Sequence, residues 1–140
     1  MNKFTKPTKQ SNIKREWHLV DANKNILGRI STRIATLLMG KSKQYFVRNL
    51  DCGDYVVVVN AAKVEVTGKK ELSKKYYRYS GYPGGLKIEG LGKLRQRKPE
   101  EIVRHAVSGM LPQNKLRDRM LSRLFVFEGG EHPYKDKLKV

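Results

Sequence analysis

The run Tyr55-Val56-Val57-Val58-Val59 constrains this chain's fold more than any other segment. Branching at Cβ stiffens χ1 and suits an extended backbone. Successive side chains of a strand point to opposite faces, so a strand with no polar alternation is apolar on both. Such a strand is buried on both faces, as in a parallel sheet covered by helices.

The segments around it fit that expectation. Trp17-His18-Leu19-Val20 reads as a first strand, closed by the polar turn Asp21-Ala22-Asn23-Lys24-Asn25. Ile26, Ile30, Ile34, Leu37 and Leu38 then recur at helical spacing. Arg29, Ser31, Thr32, Arg33 and Thr36 take the other face, and Gly40 supplies a C-terminal cap. Strand, turn and helix make the first half of a βαβ unit. Asn60-Ala61-Ala62-Lys63 suits a helical turn and Val64-Glu65-Val66-Thr67 a short strand. Pro99-Glu100-Glu101 opens a second helix, with proline in the first turn and acids at the positive end of the dipole. Met110-Leu111-Pro112 ends it. Asn114 caps a further helix to about Leu121, with Leu116, Met120, Leu121 and Leu124 toward the core. Leu124-Phe125-Val126-Phe127 is a last strand before Gly129-Gly130. The expected organisation is a basic flexible arm over residues 1–14, one α/β domain over 15–130 and an extended tail over 131–140.

Charge narrows the function. The chain has 140 residues and a formal charge of +17. A compact protein so charged repels itself unless an acidic partner neutralises it. No segment approaches the roughly 20 apolar residues of a membrane-spanning helix, and the N-terminus has no apolar signal core. Nucleic acid is therefore the expected partner. The single cysteine, Cys52, excludes an internal disulfide.

Four constellations invite a catalytic or ligand-binding reading. Ala35-Thr36-Leu37-Leu38-Met39-Gly40-Lys41-Ser42 misses the phosphate-loop pattern at its first glycine, and it ends a helix where that loop should begin one. His18, His105 and His132 are isolated, with no Cys or carboxylate at ligand spacing, so neither a metal site nor a Cys-His pair is indicated. Asp51 and Asp54 flank Cys52-Gly53 and read as turn formers before they read as an acid–base pair. Gly81-Tyr82-Pro83-Gly84-Gly85 is a turn that would also let backbone approach phosphate. No catalytic residue, metal, cofactor or small-molecule substrate is expected.

The strongest functional signal is the stretch from Lys69 to Lys98, which holds ten cations and only two acids, Glu71 and Glu89. Within it Lys69, Lys70, Lys74, Lys75, Arg78 and Lys87 interleave with Tyr76, Tyr77, Tyr79 and Tyr82. Cations neutralise phosphates and release counterions, while tyrosines stack on unpaired bases or bond phosphate and ribose hydroxyls. Gly81, Gly84 and Gly85 would let a sugar–phosphate strand lie close. Arg95 and Lys98 extend the block. Lys115, Arg117, Arg119 and Arg123 make a second basic surface, and Lys41, Lys43 and Arg48 a third. Lys3, Lys6, Lys9, Lys14 and Arg15 add a basic arm. Cations on several faces suggest embedding in folded RNA. A general nucleic-acid-binding architectural protein is the alternative.

Several of these segments together are specific. Val107-Ser108-Gly109-Met110-Leu111-Pro112, the basic helix from Leu116, and Leu124-Phe125-Val126-Phe127-Glu128-Gly129 resemble the signature of the ribosomal protein L-thirteen family of the large subunit. Trp17 to Ala22, Leu27-Gly28-Arg29, Asp54 to Ala61, Val66-Thr67-Gly68-Lys69 and Tyr76-Tyr77 with Gly81 and Gly84-Gly85 resemble the family in the same order. The chain departs from the pattern at Arg117, where many relatives carry Gly. The resemblance implies a three-layer α/β/α domain with a small, mainly parallel sheet. It also implies binding to large-subunit (23S-type) rRNA, neighbouring large-subunit proteins as partners, a role in early subunit assembly, and a bacterial cytoplasmic ribosome as the location.

Overall fold

A computed structural model describes residues 6–138. The elements in chain order are β1 (Trp17–Asp21), α1 (Leu27–Met39), β2 (Tyr55–Val59), α2 (Lys70–Ser73), β3 (Lys75–Tyr79), β4 (Leu86–Gly90), α3 (Leu91–Arg97), α4 (Pro99–Met110), α5 (Leu116–Leu121) and β5 (Leu124–Val126). The strands β1, β2 and β5 form one parallel sheet with β2 in the middle. The valine run is that central strand, and Val56, Val57 and Val58 are fully buried. Each such side chain taken out of water contributes roughly 1.5–3 kcal/mol.

The two faces of the sheet are covered differently. Val20, Val56, Val58, Leu124 and Val126 join one cluster with Ile30, Ile34 and Leu38 of α1, Leu91 and Leu94 of α3, and Ile102, Val103 and Val107 of α4. The chain steps the same way from β1 to β2 and from β2 to β5. Right-handed crossovers then bring both sets of helices to one face. On the other face Trp17 stacks on Tyr55 and Phe125, with ring centroids 4.4 and 5.8 Å away. Tyr134 closes this layer, 5.2 Å from Trp17 and 4.5 Å from Phe125. The small parallel sheet and single α/β domain are as expected. Aromatic side chains pack on this second face, and Tyr134 of the C-terminal segment lies against them. Lys137 lies over the Trp17 ring at 5.0 Å, after a 3₁₀ turn over Lys135–Lys137 begins.

Local signals account for most element ends. Gly40 takes a left-handed conformation, and its N–H donates to the Leu37 carbonyl at 3.1 Å. This is a helix C-cap, as expected, at the place of the near phosphate loop. Pro99, Glu100 and Glu101 occupy the first turn of α4, and Leu111 follows its last residue. Asn114 accepts the Leu116 N–H at 3.1 Å. Some expectations fail for specific reasons. Ser31 is buried on the inner face of α1, where its hydroxyl donates to the Leu27 carbonyl at 2.7 Å. Val64–Thr67 is not a strand; only Glu65 forms a single parallel bridge, with Ile26. β5 ends at Val126, although the Phe127 N–H still donates to Val58.

Among the described residues, α2, the antiparallel β3–β4 hairpin and α3 carried no clear sequence signal. Their residues are mostly polar, so neither period stands out. The arm is less free than expected. Thr8 donates to the Tyr45 carbonyl at 2.9 Å, and Tyr45 donates its hydroxyl to the Lys14 carbonyl at 3.1 Å. Lys3 lies outside the described residues.

Candidate nucleic-acid interface

The Lys69–Lys87 block builds a projecting hairpin. Tyr76 pairs with Glu89, Tyr77 with Ile88, Arg78 with Lys87 and Tyr79 with Leu86. The strands sort these residues onto two faces. Tyr76, Arg78, Lys87 and Glu89 turn toward α3 and α4 and border a groove with Leu94, Arg97, Glu101 and His105. Tyr76 is half-buried against the core, with its ring 5.3 Å from that of His105. Burial raises the Tyr76 phenol above its ordinary value, so it stays a neutral hydrogen-bonding group.

Tyr77, Tyr79, Leu86 and Ile88 occupy the outer face. Tyr77 is 67% exposed and Tyr79 64% exposed, and Tyr82 beyond the strand end is 74% exposed. An isolated soluble protein gains nothing by showing so many rings. Lys69, Lys70, Lys74 and Lys75 are exposed beside them. The glycines serve the turn: Gly81 and Gly84 have φ of 87° and 72°, and the Gly85 N–H donates to Tyr82 at 3.0 Å. A tight turn alone accounts for Gly81 and Gly84.

The second and third basic groups adjoin one another. Lys41 and Arg48 line a groove with Pro112, Asn114 and Met120 beside α5. Lys115 and Arg119 are exposed there, and Arg117 bonds Gln113 within its own segment. Lys98 is exposed at the start of α4 and pairs with Glu101. Lys93, Arg97 and Arg104 are further exposed cations that sequence reasoning did not single out.

Three of the expected contact residues are instead part of the fold. Arg123 is 7% exposed and grips Asp51 with two guanidinium nitrogens, while bonding the carbonyls of Leu38 and Asp54. It is a buried scaffold residue and not a surface cation. Lys43 bonds Asp54 and the Lys14 carbonyl. Arg95 donates to Glu71 and to the carbonyls of Ala62 and Val64. Local sequence shows none of these partners, because they come from distant elements.

The same ion pairs settle the acid pair. Asp54 is buried and accepts from the Glu16 N–H at 3.0 Å, with His18 Nε2 at 3.1 Å. Asp51 is shared by Arg123 and Arg15. Both carboxylates are held by fixed partners, an arrangement that ties the 41–54 loop to β1 and to the start of β5. His18 is therefore not isolated in space. Cys52 is fully buried in the same loop, as expected of a small packed residue.

The family model of ribosomal protein L13 matches residues 15–133. The chain belongs to the ribosomal protein L13 family. Among its relatives is a protein of Dehalococcoides mccartyi strain BAV1, 52% identical over 134 residues, which are 96% of this chain and 92% of the relative. One from Geobacter sulfurreducens is 50% identical, covering 94% of this chain and 92% of the relative. One from Nitratiruptor is 49% identical, covering 98% of each. All three are named large ribosomal subunit protein uL13. The L13 match takes in the hairpin and the basic surface at α5, so both lie within the family domain.

Proposed function

We propose that this chain is a structural, non-catalytic constituent of the large ribosomal subunit that binds large-subunit rRNA directly. The observation that carries this reading is the hairpin itself, where exposed Tyr77 and Tyr79 share one strand with the exposed cations Lys75 and Arg78, next to exposed Lys74. Phosphate neutralisation supplies most of the affinity, and the tyrosines take unpaired bases. Lys41, Arg48, Lys115, Arg117 and Arg119 make a second contact, so that two RNA segments are held in one relative geometry as the subunit assembles. The setting is the bacterial cytoplasmic ribosome, with neighbouring ribosomal proteins as further partners.

The test is co-sedimentation with large subunits in low salt, followed by titration of deproteinised large-subunit rRNA. Each phosphate neutralised lowers log affinity by roughly 0.7–0.9 per log salt. Replacing Lys74, Lys75 and Arg78 together by Ala should weaken binding and shallow that slope by about 2. Failure to co-sediment, or equal affinity for duplex DNA, would count against the ribosomal reading. Unchanged binding by the triple variant would move the RNA face elsewhere.

A further inference from the structure

An RNA-binding segment gains nothing electrostatically from carboxylates, yet the Lys69–Lys98 block holds Glu71 and Glu89. Both face arginines of the same short helix. Glu71 of α2 receives Arg95 Nε at 2.9 Å and Nη2 at 3.0 Å. Glu89 of β4 receives Arg97 Nε at 3.1 Å and Nη2 at 2.7 Å. Two parallel bonds fix an angle as well as a distance. Arg95 also donates through Nη1 to the carbonyls of Ala62 at 3.0 Å and Val64 at 2.8 Å, in the turn after β2. The helix that carries both arginines is anchored by Leu91 and Leu94, which are buried in the core.

Among the described residues the hairpin's strands pair with each other and with no third strand, and its other ties are the direct step from β4 into α3, the Leu91 N–H bond to the Lys74 carbonyl at 3.0 Å and the packing of Tyr76 on the core cluster. A two-stranded ribbon alone is marginal in water. We infer that Glu71 and Glu89 are positioning residues, which lock α2, at the root of the cationic hairpin, and β4 to α3 and so set the geometry in which the hairpin meets folded RNA. The inference rests on the RNA-binding reading of the hairpin.

The test turns on sign. By charge alone, removing two carboxylates from a cationic surface tightens binding to any polyanion. If the acids position the hairpin, Glu71→Gln with Glu89→Gln weakens binding to deproteinised large-subunit rRNA by about two- to fivefold, the range to which exposed ion pairs correspond. Affinity for poly(U), which has no fixed shape to match, stays level or rises. Glu89→Arg alone should likewise weaken rRNA binding despite its added charge, and adding Arg97→Glu should restore it. Equal loss on both RNAs, or unchanged or tighter rRNA binding, overturns the inference. The triple variant of Lys74, Lys75 and Arg78 runs alongside. If it binds rRNA normally, the RNA face itself is misplaced. If it binds weakly while the glutamine variant does not, only the positioning role falls.

Discussion

Arg123 and Asp51 stand 72 positions apart in sequence and meet in a two-pronged ion pair, with Nη2 2.5 Å from Oδ1. The pair joins the start of β5 to the loop before β2. Its side chains are 8% and 10% exposed, so little water compensates if one is lost. Removing one partner of a buried pair typically costs about 3–5 kcal/mol. Arg123→Ala should destabilise the domain within that range, read by urea denaturation. Arg15 also reaches Asp51, at 3.5 Å, and shifts the expectation to the lower end. A stability change under about 1 kcal/mol would show that the pair is dispensable.

The same loop depends on backbone approach. A Cβ on Gly53 would lie 1.6 Å from the Leu38 carbonyl oxygen, where no rotamer relieves the clash. Gly53→Ala should therefore cost about 3 kcal/mol or more, or prevent folding. Gly28→Ala is the control, since nothing lies within 4 Å of its Cβ. Within a helix this change is neutral or stabilising by up to about 1 kcal/mol. Thermal melts of the two variants should move in opposite directions or differ widely.

The tyrosines of the outer hairpin face separate binding from folding. Tyr77→Ala with Tyr79→Ala removes side chains that are two-thirds exposed, so stability should change little. If each ring stacks on a base, affinity for rRNA falls by about 1–3 kcal/mol per ring. Paired measurements of melting temperature and rRNA affinity check both halves. A large loss of stability with unchanged affinity would assign the rings to the fold.

Acid should loosen the hairpin from α3. The Arg97 guanidinium, through its hydrogen bonds and charge, holds the Glu89 carboxyl below its ordinary value of 4.5, with Lys93 adding to the effect. A carboxyl whose folded pKa is depressed gives stability that is present above the unfolded value and lost as pH falls through the folded one. Docking of β4 should therefore be intact at neutral pH and weaken only below about 4.5. Arg78, Lys87, Glu101 and His105 border the same groove, so the comparison is with Glu89→Gln, which should lack the acid-dependent step. Amide exchange of β3 and β4 across pH 3–6 reads it, and identical profiles in both proteins would dismiss the effect.

Much of the fold was legible because its signals are local. The valine run identified β2 as a strand of a parallel sheet buried on both faces, and the apolar spacing from Leu27 gave α1. Pro99 with two glutamates marked the start of α4. The Lys/Tyr block was visible as a binding candidate because charge and aromatic content are compositional. The hairpin within it was not, since Lys75–Tyr79 and Leu86–Gly90 show neither apolar alternation nor helical spacing. Ser31 looked like a surface residue because sequence cannot show that a hydroxyl is satisfied by its own helix.

Sequence by itself therefore determined the fold class, the strongly basic character and the family resemblance. Each follows from residue type or from neighbours within a few positions. Tertiary structure decided which cations are available. Arg123, Lys43 and Arg95 resemble Lys74, Lys75 and Arg78 in sequence, yet the first three are consumed by Asp51, Asp54 and Glu71. A guanidinium or ammonium is the same group wherever it occurs. Whether it faces a carboxylate or water depends on which distant segments the fold brings together.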